Sequence, residues 1–128
     1  MSITFNTDIG GTASTSYVTV DQFNSYVENL NNTDDIPSAD QVTTIQRLLN
    51  NATKYIDSLD FIGFVSDNTQ ALEWPRTGTS DRRGNAIANN VLPEELLDAV
   101  ALMAIYLVQN DLDHATNDEW DDQVSSTS

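Results

Sequence analysis

The spacing of apolar residues between positions 42 and 59 constrains this chain more than any other feature. Val42, Ile45, Leu48, Leu49, Ala52, Ile56 and Leu59 recur at the three- and four-residue intervals of a single helix face. A stripe of that kind must be buried against another element. Two further segments supply partners. Val20, Phe23, Val27 and Leu30, joined by Tyr26, make a shorter stripe. Leu96, Val100, Met103, Ala104 and Leu107 make a third, widened by Leu97, Ala101 and Val108. The run from Ala99 to Val108 is apolar almost all round, which predicts a helix covered by its own core and open to cover by a second subunit.

Boundary residues agree with these stripes. Thr19 and Gln22 have the spacing of a capping box at the start of the first helix, and Asn29 to Asp35 end it with poor helix formers. Ser38 and Gln41 offer a second box, with Asp40 at the favourable positive end and Gly63 as a stop. Pro93, followed by Glu94 and Glu95, starts the third helix. The expected fold is mainly α: a small bundle of three main helices with a long central loop or β-flap and extended termini. The tail leaves open a short fourth helix or a segment that docks by Trp120. The expected organisation is an extended N-terminal arm over 1–18, a helical domain over 19–110 and an acidic tail over 111–128.

The middle of the chain, 60–92, is irregular. Phe61, Ile62, Phe64 and Val65 are too apolar for a free linker and are expected to pack, with Leu72 and Trp74 as partners. Residues 77–90 read as a turn-rich loop or a two-stranded flap with Arg83-Gly84-Asn85 at its tip. Between them stands Trp74-Pro75-Arg76. Pro75 biases Trp74 toward extended backbone, and Trp74 can bury a large area while its indole N–H finds an acceptor. Two readings follow: a plug that closes the helical core, or a rigid element presenting Arg76 and the following loop to a partner. The candidate structural or interface residues are Trp74, Pro75, Arg76, Arg82, Arg83 and Trp120.

Charge narrows the function classes. Five basic residues face twenty acidic ones, for a net charge of −15. Six of the acids (Asp111, Asp113, Asp118, Glu119, Asp121 and Asp122) lie in the final 18 residues, which leaves fourteen acids against five bases in the body. Such a chain repels free nucleic acid and anionic membranes at long range. There is no cysteine, which excludes disulfides, thiolate metal sites and cysteine nucleophiles. No apolar run approaches the length of a membrane span, and no basic-then-apolar N-terminus suggests a standard secretory signal.

His114 is the single histidine, and no Ser or Lys stands at a recognisable spacing from it. Asp111, Asp113 and Asp118 do not follow the alternating pattern of a calcium loop, and Gly10-Gly11 lacks the residues of a phosphate cradle. No catalytic residue, metal site or cofactor is expected, and the protein is expected not to be an enzyme. Arg82 and Arg83 suit carboxylates, on this chain or another subunit, better than phosphate.

Several motifs in order resemble small head-to-tail adaptor (connector) proteins of tailed bacteriophages, some of whose relatives carry the label of DnaT-like single-stranded-DNA-binding proteins. They are Ser16-Tyr17-Val18-Thr19-Val20, then Ala52-Thr53-Lys54-Tyr55-Ile56-Asp57, Phe61 with Gly63, Leu72 with Trp74-Pro75-Arg76-Thr77-Gly78, and Val91-Leu92-Pro93 before an alanine-bearing helix with Ala99 and Ala104. The resemblance covers about residues 16–108. It departs from relatives at Asn31-Asn32 and in the strength of the acidic tail. It implies a structural protein of the virion neck, assembled in the host cytoplasm. Such adaptors form a homo-oligomeric ring, usually a dodecamer, that binds the portal and a tail or second neck protein. DNA passes through the channel without sequence-specific binding. The alternative is a single-stranded-DNA-binding accessory of replication or packaging, which needs a basic, aromatic-lined groove.

Overall fold

The structure, a computed structural model, describes residues 4–110. The first three residues and the acidic tail, with His114, Trp120 and the expected fourth helix or docked segment, lie outside the described residues. The capping box at Thr19 is present in full. The Thr19 hydroxyl accepts the Gln22 N–H, and the Gln22 side chain accepts the Thr19 N–H. It starts α1 (Val20–Val27), whose Phe23 is fully buried.

The second start differs from expectation. α2 spans Val42–Asp57, with Gln41 rather than Ser38 at its N-cap. Gln41 Oε1 does accept the Ser38 N–H, but the Ser38 hydroxyl turns to the side chains of Asp40 and Gln41. Half a capping box closes a turn over 38–41 instead of opening a helix. α2 then buries Ile45, Leu48, Leu49, Ala52 and Ile56 of the predicted face, with Thr53 beside them, while Val42 and Leu59 at its two ends are exposed. Each fully buried leucine on such a face stabilises the fold by roughly 2 kcal/mol. Gly63 is not the stop. α2 ends before Ser58, six positions earlier, and Gly63 serves the hairpin described below.

α3 (Glu94–Gln109) begins after Pro93 and lies chiefly against α2, with α1 resting on both. Its buried face is Leu96, Val100, Ala101, Ala104, Ile105, Leu107 and Val108, with Met103 half-buried. The result is the expected mainly α three-helix bundle. Between α2 and α3 the chain adds a two-stranded antiparallel element, β1 (Phe64–Val65) and β2 (Arg76–Thr77), in which Phe64 faces Thr77 and Val65 faces Arg76.

Residues 4–18 carry no helix or strand and lie on the body. Thr15 and Ser16 donate their N–H groups to Asn6 O, and Asn6 N–H donates to Thr15 Oγ1. Farther out, Asn50 Nδ2 donates to Thr4 O (2.9 Å) and Ala71 N–H donates to Gly11 O (3.0 Å). Ser14, Ser16, Tyr17 and Val18 are buried. Among the described residues no helix is long and apolar enough to cross a membrane.

Candidate functional site

Trp74-Pro75-Arg76 sits where the N-terminal segment, the end of α2 and the hairpin meet. Tyr17 organises the junction. Its hydroxyl accepts the Trp74 N–H (2.9 Å) and donates to Asp57 Oδ1, while Asp57 Oδ2 accepts the Glu73 N–H (3.2 Å). Burial raises the Asp57 carboxyl above its ordinary value, and the hydrogen bonds from Tyr17 and Glu73 only partly oppose that. Burial, and next the Asp57 carboxyl, push the Tyr17 phenol well above the usual tyrosine range. A buried phenol and carboxyl could share a proton, but neither side chain lines the neighbouring clefts. The pair holds chain segments together.

Trp74 is buried and meets Phe61 edge-to-face, with ring centroids 5.6 Å apart and an interplanar angle of 82°. The predicted contact of Phe61 with Trp74 therefore forms. The expectation that the indole N–H is satisfied does not hold: Trp74 Nε1 is buried with no acceptor among the described residues. The Trp74–Pro75 peptide is cis.

Arg76 points inward and is only 7% exposed. Nε donates to Ile62 O (3.0 Å), Nη2 to Gly63 O (2.8 Å), and Nη1 to Glu73 O (3.2 Å) and Glu73 Oε1 (3.1 Å). Its guanidinium carbon lies 5.7 Å from the Phe61 ring centroid. Every guanidinium nitrogen has a partner, and three of the four acceptors are main-chain carbonyls, so the side chain fastens the start of the hairpin rather than offering a charge to a partner. The Glu73 carboxylate is half-exposed, which limits the ion pair's own share of the stability.

This clamp turns two large side chains outward. Ile62 is 82% exposed and Phe64 77%, against the expectation that both pack. The cause is local. Gly63 between them has φ +86°, and a Cβ there would stand 2.3 Å from Thr77 O. The backbone at Gly63, just before β1, runs close to Thr77 of β2, and the side chains on either side of Gly63 face solvent. A second exposed pair lies on α3, where Leu102 and Tyr106 follow Asp98 at four-residue intervals on the outer stripe. The charge at Asp98 was the sequence signal for a solvent-facing stripe inside an otherwise apolar helix.

Arg82 and Arg83 occupy the predicted flap. Ser80 and Ala86 form an antiparallel bridge, and the tip turns at Gly84 with φ +86°. Asp81 builds the turn: its Oδ1 accepts the N–H groups of Arg83 and Asn85, and its main-chain N–H donates to Asn85 O. Both arginines are exposed, and neither has an ion-pair partner among the described residues. The loop forms one wall of a cleft of about 400 Å³. The other walls are Ile56 and Leu59 from the end of α2, Phe61 and Trp74, and Pro93, Glu95, Leu96 and Ala99 at the start of α3; Asp81, Arg82 and Ile87 come from the loop. A second groove, about 340 Å³, lies between α1 and α3.

Trp74, Pro75, Arg76, Arg82 and Arg83 thus divide. The first three form the junction, and Arg82 and Arg83 stand on the loop beside it. Trp120 lies outside the described residues. The sequence places Tyr17 and Asp57 in motifs and Ile62 and Phe64 in an apolar run, but spacing alone did not single out any of the four as a site residue. Among the described residues no three His, Cys, Asp or Glu side chains gather as metal ligands would.

Searches of curated proteins and of solved structures returned no match. A family model matches residues 1–127, essentially the whole sequence, and the chain belongs to the family it describes, "Putative DnaT-like ssDNA binding protein".

Proposed function

We propose that this protein is a structural adaptor of the tailed-bacteriophage neck, a ring subunit that joins the portal to the tail or to a second neck protein around the DNA channel. The observation that carries this reading is the presence of two different exposed apolar pairs, Ile62 with Phe64 on the hairpin and Leu102 with Tyr106 on α3. A head-to-tail ring needs two unlike surfaces per subunit, one for each neighbour. The acidic surface fits a channel wall to which passing DNA does not adhere. Light scattering of the protein with and without the portal ring tests the proposal. A ring-sized complex with the portal is expected, and failure to associate near physiological salt overturns it. A neck reconstruction with a basic lumen would overturn the role assigned to the acids.

The family description favours a second reading, an accessory protein that binds single-stranded DNA in replication or packaging. Its difficulty is the supply of cations. All five lie within the described residues, and Arg76 is consumed internally, which leaves Arg47, Lys54, Arg82 and Arg83. Filter binding of single-stranded DNA at low and moderate salt separates the readings. Tight, strongly salt-dependent binding by the isolated protein would put the second in place of the first.

A further inference from the structure

We propose that the cleft between the 80–87 loop and α3 is the docking site of this chain's own acidic tail, with Trp120 as its anchor. The inference stands apart from the ring reading and needs no portal or DNA. The cleft floor is apolar, built by Ile56, Leu59, Phe61, Leu96 and Ala99, and its volume of about 400 Å³ suits a large side chain. Trp74 forms part of the wall, and its indole N–H has no acceptor among the described residues.

The rim supplies the second argument. Arg82 lines the cleft and Arg83 follows it, both exposed and without an ion-pair partner among the described residues. Two carboxylates share the mouth, Asp81 and Glu95, but Asp81 Oδ1 is engaged by the N–H groups of Arg83 and Asn85. The tail matches this pattern: in Asp118-Glu119-Trp120-Asp121-Asp122 a single large apolar group is flanked by four carboxylates. Arginine forks on the rim and an apolar floor below them are the complement of that segment.

Reach is sufficient. Ala99 to Asn110 is eleven helical steps, roughly 17 Å at about 1.5 Å each. Asn110 to Trp120 is ten residues, which span up to roughly 33 Å when extended. The tail can therefore fold back along α3 to the cleft of the chain that carries it.

The absence of cysteine makes disulfide trapping a clean test. One full-length variant carries Ser80→Cys at the cleft with Asn117→Cys beside Trp120. A control carries Ser25→Cys in the α1–α3 groove with the same Asn117→Cys. Ser80 and Ser25 are both exposed, so neither change threatens folding. With oxidised glutathione supplied at a fixed concentration as the oxidant, the expected result is an intramolecular crosslink from Ser80→Cys that forms roughly tenfold faster than from Ser25→Cys, because docking raises the local concentration of the two thiols. Adding Trp120→Ala, or Arg82→Glu with Arg83→Glu, should bring the two rates together. Equal rates in the parent pairs, crosslinked dimers in place of monomers, or no crosslink at either site would overturn the proposal; dimers would assign the cleft to a second copy.

Discussion

Arg76 and the pair Arg82–Arg83 stand a few positions apart in one acidic chain, yet they do opposite things. Arg76 is buried, and its donors are spent on the carbonyls of Ile62, Gly63 and Glu73. Arg82 and Arg83 ride on a turn whose geometry is set by the Asp81 carboxylate and Gly84, and their guanidinium groups play no part in it. The difference teaches that scarcity of positive charge does not assign a role. Where main-chain carbonyls converge, an arginine becomes a structural tie; where the backbone satisfies itself, the same side chain is left for an outside partner.

The strongest way to break this comparison is to attack the two glycines that serve the two regions. Gly63→Ala sets a methyl 2.3 Å from Thr77 O at φ +86° and is expected to cost about 3 kcal/mol or more in urea unfolding. Gly84→Ala has the same φ but meets nothing within 4 Å, so only the backbone term, about 1 kcal/mol, is expected. Equal losses would mean that the hairpin at Gly63 is no tighter than the loop tip.

Arg76→Ala comes next. It leaves three carbonyls without their donor and should destabilise by about 3 kcal/mol. Arg82→Ala and Arg83→Ala should each change stability by less than about 0.5 kcal/mol. Substituting only the carboxylate partner, as in Glu73→Gln, should fall near the smaller value, because that group is half-exposed.

Tyr17→Phe sharpens the picture of the junction. It removes the acceptor of the Trp74 N–H and the donor to Asp57, for an expected loss of about 2 kcal/mol. Its pH dependence has a definite sign. The Tyr17 phenol is raised in the folded state above its ordinary value of 10.0, so the unfolded chain releases that proton first. The stabilisation linked to this proton is complete below pH 10 and is lost as pH rises beyond it. The difference in stability between wild type and Tyr17→Phe should therefore narrow in alkaline titration, as followed by urea midpoints. Asp57, also raised, acts in the acid range: its contribution is complete below the ordinary carboxyl value of 3.8 and declines as pH rises through the folded-state value. Asp57→Asn should flatten that decline.

How much of this was legible depends on the range of the interaction. The box at Thr19 and the turn at Arg83-Gly84-Asn85 are closed by residues within a few positions, and both form as the spacing predicts. The face of α2 was legible because helical period alone selects it. Ser38 misled because a short side chain with two polar neighbours has several local partners, and spacing does not rank them. The inward turn of Arg76 and the outward turn of Ile62 and Phe64 were not legible, since both depend on how closely 62–64 approach 76–77 across a hairpin. The Tyr17 junction was the hardest to read, because its partners stand 40 and 57 positions away in sequence.

That separation has a consequence for the order in which the protein can be completed as it is made. Synthesis delivers residues 4–18 before Asp57, Ala71 and Trp74, so the bonds of Tyr17 to Asp57 and Trp74 and of Gly11 to Ala71 can form only after those residues have emerged. Residues 4–18 wait without these partners while α1 and α2 are made. A nascent chain halted before position 74 would present the Ser16–Val18 stretch, buried in the finished protein, to whatever else shares the ribosome's exit.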